Sequence, residues 1–232
     1  MPAGFRGHGT GGFDLARPLT MHRRWAGVCV VIGILPARSS FMDAFLIATG
    51  IVALAEIGDK TQLLSFVLAA RYQRPWPIIF GILVATLANH ALAGAVGSWL
   101  TGLLGPDVLR WVLGVSFLLM AGWMLIPDKL DEDEANVAPR FGVFGTTLIA
   151  FFLAEMGDKT QVATVALAAQ YSDFLMVVAG TTAGMMLANV PAVLVGDKLA
   201  ARLPVRLMHA IAAVIFAALG LYALFSQGLP GL

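Results

Sequence analysis

A chain of 232 residues that is 59% apolar and only 12% Asp, Glu, Lys and Arg carries about half the charge of an ordinary soluble domain. That excludes a soluble enzyme and predicts an all-α integral membrane protein. The net charge of +1, with no basic stripe beyond the first 40 residues, excludes a nucleic-acid partner, and the single Cys29 excludes internal disulfides and cysteine-rich metal clusters.

Residues 1–41 read as an N-terminal extension. Met21-His22-Arg23-Arg24, followed by apolar Trp25 to Leu35, has the build of a signal peptide. Alternatively, Met42 is the true start, or the segment is retained as an arm. From there on, stretches without charge predict membrane-spanning helices over Pro75–Pro106, Trp111–Pro127, Phe174–Gly196 and Leu207–Leu232. Two further apolar segments, Phe41–Ala70 and Phe141–Ala169, carry charges deep inside them, bringing the expected number of transmembrane helices to six. Between the third and fourth, residues 127–140 hold Asp128, Asp131, Glu132, Asp133 and Glu134 beside two prolines and predict an acidic solvated linker.

This linker divides the chain into a first repeat over 42–126 and a second over 141–232. Leu54-Ala55-Glu56-Ile57-Gly58-Asp59-Lys60-Thr61-Gln62 recurs as Leu153-Ala154-Glu155-Met156-Gly157-Asp158-Lys159-Thr160-Gln161, and Leu87-Ala88-Asn89 recurs as Leu187-Ala188-Asn189. Three spans per repeat make the second enter the bilayer upside down, so the expected architecture is two inverted three-helix repeats. Outside the spans, and beyond the extension, Arg71, Arg74, Lys129, Arg140, Lys198, Arg202 and Arg206 fall on one side and only Arg110 on the other. The basic side is expected to be cytoplasmic, with the central loop inside the cell and both core termini outside.

Glu56 lies 14 residues from both Met42 and Ala70, and Glu155 14 from both Phe141 and Ala169, about 21 Å at a rise of about 1.5 Å per residue, so both are expected near the bilayer midplane. An ionisable group there costs at least about 2.5 kcal/mol and calls for a partner. On a continuous helix, Glu56, Asp59 and Lys60 project from one face, as do Glu155, Asp158 and Lys159. Four carboxylates with two ammonium groups leave two negative charges, which one divalent cation balances; protonating two carboxylates does the same. The expected metal ligands are Glu56, Asp59, Glu155 and Asp158. Oxygens of Thr61, Thr160, Gln62, Gln161, Asn89 and Asn189 are expected to support them, and Lys60 and Lys159 to balance charge. All-oxygen donors suit manganese, calcium or magnesium rather than zinc or copper.

Gly58 and Gly157 either break their helices or allow close packing. His90 follows Asn89, but Val190 follows Asn189; a hydrogen-bonded interface histidine is expected there ahead of a proton relay. Trp99, Trp111 and Trp123 read as interfacial anchors and Pro191 as a bend.

The doubled Glu-x-Gly-Asp-Lys-Thr motif, each copy opening a three-span half, resembles the Gdt family of cation/proton exchangers. That family includes Golgi manganese and calcium homeostasis proteins and bacterial manganese exporters. The resemblance covers Met42 to about Gln227 and implies export of Mn2+, or alternatively Ca2+, from the cytoplasm in exchange for protons, with no cofactor and with the motif acids as the ion site. The compact linker resembles bacterial members, implying a bacterial inner membrane. A remote alternative is an intramembrane aspartyl protease built on Asp59 and Asp158, although Glu56 and Glu155 stand where its signature has glycine. Oligomeric state has no signature in the chain.

Overall fold

The computed structural model describes residues 41–126, 141–171, 173–195 and 205–225. The N-terminal extension up to Ser40, the whole acidic linker 127–140, and Lys198 and Arg202 lie outside the described residues. Among those described, the chain is all-helical, with eight helices: α1 (Phe41–Glu56), α2 (Lys60–Tyr72), α3 (Pro75–Leu103), α4 (Pro106–Trp123), α5 (Gly142–Glu155), α6 (Lys159–Gln170), α7 (Phe174–Val195) and α8 (Val205–Phe225). Three of these, α3, α7 and α8, are long and apolar enough to cross a membrane.

Local chemistry sets the boundaries. Pro75 and Pro106 open α3 and α4, where the missing N–H of proline has no helical partner to lose. Gln73 ends α2 in the left-handed region at φ 51°, its N–H donating to the Ala69 carbonyl. Pro191 lies inside α7, which continues through it to Val195.

The two repeats interlock rather than sit side by side. Helix α7 lies along α1 in the same direction: a Cβ on Gly180 would fall 2.5 Å from the Phe45 carbonyl oxygen, and one on Gly184 2.6 Å from that of Thr49. Further along, Asn189 reaches Glu56. Helix α3 runs along α5 in the same sense, with Gly81 against Thr147, Asn89 against the Phe152 carbonyl and His90 against Glu155. The long helix that follows each motif thus packs on the helix that precedes the other motif. Such close backbone approach is how helices associate where no hydrophobic driving force separates helix from lipid.

Helices α4 and α8 form an antiparallel pair. Gly114 fits against Gly220 and Leu224, and Phe117 stacks on Phe216 with ring centroids 6.1 Å apart. The buried apolar side chains fall into two clusters. One joins Ala48 and Ile51 of α1 to Phe117 and Met120 of α4, Ala163 and Leu167 of α6, and Phe216 of α8. The second joins Leu64 and Leu68 of α2 to Ile78 and Ile82 of α3 and to Ala150 and Phe151 of α5.

Candidate metal site

Both motifs break their helices. α1 ends at Glu56 and α2 starts at Lys60; α5 ends at Glu155 and α6 starts at Lys159. Gly58 and Gly157 turn the chain at φ +84° and +77°, a conformation that costs glycine little and a side-chain-bearing residue more. The expectation of a single helical face carrying Glu, Asp and Lys is therefore corrected. Each glutamate is the last residue of one helix, and each aspartate is the N-cap of the next.

A second device holds the break. The side-chain carbonyl of Gln62 accepts from Gly58 N–H at 2.9 Å, and that of Gln161 from Gly157 N–H at 2.7 Å. Gln62 also donates to the Ala188 carbonyl at 3.1 Å. Each of these glutamine oxygens thus holds the backbone of its turn. Asp-Lys-Thr-Gln has the spacing of a helix-start box, in which the N3 side chain reaches back to the N-cap N–H; here it reaches one residue further, to the glycine, and that spacing is the signal that could have located the break. The carboxylates of Asp59 and Asp158 leave their own helix starts uncapped.

Freed from capping, those carboxylates converge. One oxygen each of Glu56, Asp59 and Asp158 lies within 4.8 Å of the others, and all three residues are buried, at 0%, 1% and 4% exposure. Two come from the first motif and one from the second. Thr61 Oγ1 donates to Glu56 Oε2, Asn189 Nδ2 approaches the same oxygen at 3.5 Å, and Ser65 Oγ donates to Asn189 Oδ1 at 2.7 Å. Thr160 Oγ1 donates to Asp158 Oδ2 at 3.2 Å. The other oxygen, Glu56 Oε1, is buried with no hydrogen-bond donor among the described residues.

Glu155 is not one of the three acids within 4.8 Å. Equally buried, it ends α5 beside α3, with His90 Nε2 3.5 Å from its Oε2. Asn89 is held there too, donating to the Phe152 carbonyl at 3.1 Å. Lys159 is buried, its Nζ donating to the Ile126 carbonyl at 2.8 Å just beyond α4, while Lys60 is half-buried. Three carboxylates this close in a region poor in water repel one another unless a cation or protons balance them, and oxygen donors without paired cysteines or histidines suit a hard divalent ion.

Comparison with known proteins agrees with this chemistry. Residues 44–132 and 143–229 match the family described as "Divalent cation/proton antiporter GDT1". A protein of Vibrio cholerae named "Putative manganese exporter" is 55% identical over 185 residues, covering 79% of this chain and 92% of that protein. The Saccharomyces cerevisiae protein named "Divalent cation/proton antiporter GDT1" is 24% identical over 245 residues, covering 81% of this chain and 86% of the yeast protein. A GDT1-like protein of Synechocystis is 29% identical over 196 residues, 75% of this chain and 93% of that protein. No solved structure matches the chain. The family is one of transporters, which sets the protease reading aside. With both repeats matched over most of their length, the chain belongs to the GDT1 family of divalent cation/proton antiporters.

Proposed function

We propose that the protein exports Mn2+ from the cytoplasm in exchange for protons, through six membrane spans arranged as two inverted three-helix repeats. The observation that carries this reading is the buried trio of Glu56, Asp59 and Asp158, drawn from both repeats and held within 4.8 Å. A Mn2+ ion bound there balances the carboxylates, and protons balance them when it leaves. One ionic load therefore excludes the other, which is the requirement for exchange.

The broken helices support the same reading. Discontinuous spans meeting at a shared level are a recurrent way for transporters to expose side chains and backbone to an ion near the midplane. The parallel course of α1 with α7 and of α3 with α5 supports inversion, since in an inverted pair the first span of one repeat runs with the second span of the other. Arg71 in the last turn of α2 and Arg74 just beyond it support a cytoplasmic position for that end, and the bacterial relative supports a multi-pass location in a bacterial inner membrane. Mn2+ is favoured over Ca2+ because the Vibrio cholerae relative, which shares more than half its aligned residues, is named for manganese.

The test is transport by the purified chain in proteoliposomes that enclose a pH-sensitive dye. Mn2+ influx is expected to drive counter-movement of protons, and Asp59→Asn or Asp158→Asn to abolish both. Mn2+ uptake that leaves an imposed proton gradient intact would refute exchange.

A further inference from the structure

We propose that His90 and Glu155 form a second cation station beside the carboxylate trio, and that its nitrogen donor sets the preference for Mn2+ over Ca2+. The inference deepens the exchange reading above and rests on it.

His90, Asn89 and Thr86 share one face of α3, which packs along α5 so that His90 meets the glutamate at its end. All four residues are fully buried. Among the described residues, neither nitrogen of His90, neither carboxylate oxygen of Glu155, nor Asn89 Oδ1 nor Thr86 Oγ1 has a hydrogen-bond partner. The sequence predicts a hydrogen-bonded interface histidine at position 90; the structure places it at the interface, against Glu155 at 3.5 Å. Each orphaned buried polar atom costs about 1 to 3 kcal/mol, so these six atoms call for an occupant.

The chemistry of the atoms indicates what that occupant is. Both Glu155 oxygens, Asn89 Oδ1 and one imidazole nitrogen are electron-pair donors. A water molecule offers two protons, too few for all of them, whereas a cation accepts every pair. The distance agrees. Donor atoms at right angles on an ion about 2.0 to 2.6 Å away lie about 2.8 to 3.7 Å apart, and His90 Nε2 is 3.5 Å from Glu155 Oε2. That separation is long for a charge-assisted hydrogen bond, which runs at about 2.7 to 2.9 Å.

Imidazole nitrogen is a donor for first-row transition ions, while Ca2+ takes oxygens. The trio offers only oxygen and accepts either ion. Discrimination is therefore assigned to His90, whose counterpart in the second repeat is Val190.

The full-length protein in lipid nanodiscs, saturated with Mn2+ alone, tests this by pulsed electron paramagnetic resonance. Nitrogen-14 modulation of bound Mn2+ is expected in the wild type and is expected to vanish in His90→Gln and in Glu155→Gln. In proteoliposomes, His90→Gln is expected to lower the preference for Mn2+ over Ca2+ at least tenfold while Ca2+ transport continues, an outcome a misfolded variant does not produce. Bound Mn2+ without nitrogen modulation in the wild type, or an unchanged ion preference in His90→Gln, overturns the proposal while leaving the exchange reading standing. A wild-type chain that binds no Mn2+ overturns both.

Discussion

The two helix breaks share a backbone plan but sit in different surroundings. At Ile57-Gly58-Asp59 the turn lies under the start of α8, where a Cβ on Gly58 would collide with the Val205 side chain; around Gly157 a Cβ would meet nothing within 4 Å among the described residues. Glu56 sits among Thr61, Asn189 and two other acids, and Glu155 faces an imidazole. Repeating a nine-residue motif reproduces a glycine turn, a glutamine clasp and an aspartate cap. What each glutamate then does is decided by the helix that arrives from the other repeat, Asn189 in one case and His90 in the other. The same turn recurs in both motifs, and the side chains around it differ.

Substitutions that treat the breaks alike should expose this difference. The largest expected effect is on transport. Asp59→Asn and Asp158→Asn each remove a carboxylate from the trio and are expected to lower proton-coupled Mn2+ flux more than a hundredfold, whereas Glu155→Gln, outside the trio, is expected to retain measurable flux with altered ion preference. Equal and complete loss in all three would erase the distinction between the glutamates.

Next in size is the steric contrast. Gly58→Ala strains a positive-φ position and also collides with Val205, costing about 2 to 4 kcal/mol, while Gly157→Ala bears only the backbone term of about 1 to 2 kcal/mol. Thermal unfolding in detergent should rank Gly58→Ala below Gly157→Ala, and adding Val205→Ala to Gly58→Ala should recover part of the gap. A ranking that is reversed, or no recovery, would show that α8 does not clamp the first break.

The smallest contrast is between the clasps. Gln62→Ala removes two hydrogen bonds, one of them buried, and is expected to cost about 1 to 3 kcal/mol; Gln161→Ala removes one exposed bond, worth about 0.5 to 1.5 kcal/mol. The same melting measurement reads both, and identical shifts would mean that the Ala188 contact contributes nothing.

Much of the architecture was legible beforehand because it rests on one-dimensional signals. Charge-free stretches mark α3, α7 and α8, and the recurrence of Glu56 to Gln62 at Glu155 to Gln161 marks the repeat. The convergence of acids from both motifs was also expected. The course of the chain through the motif was misread, because spacing of three and four residues on an assumed continuous helix was weighed while glycine was left ambivalent between breaking and packing. Asp59 to Gln62 at cap-to-N3 spacing held the missing hint. The absence of Glu155 from the trio has no local signature. It depends on how α3 lies along α5, and only the packing of Gly81 on Thr147 and Asn89 on Phe152 establishes that register.

The cross-packing of α1 on α7 has a consequence for synthesis. Glu56 and its contact Asn189 are 133 residues apart, and at about 5 to 20 residues per second on the ribosome the nascent chain waits roughly 7 to 27 s between them. Throughout that interval the leading repeat rests in the bilayer with its deepest acid lacking the neighbour that will later shield it. The burden of that carboxylate falls on the insertion machinery before the finished fold takes it over.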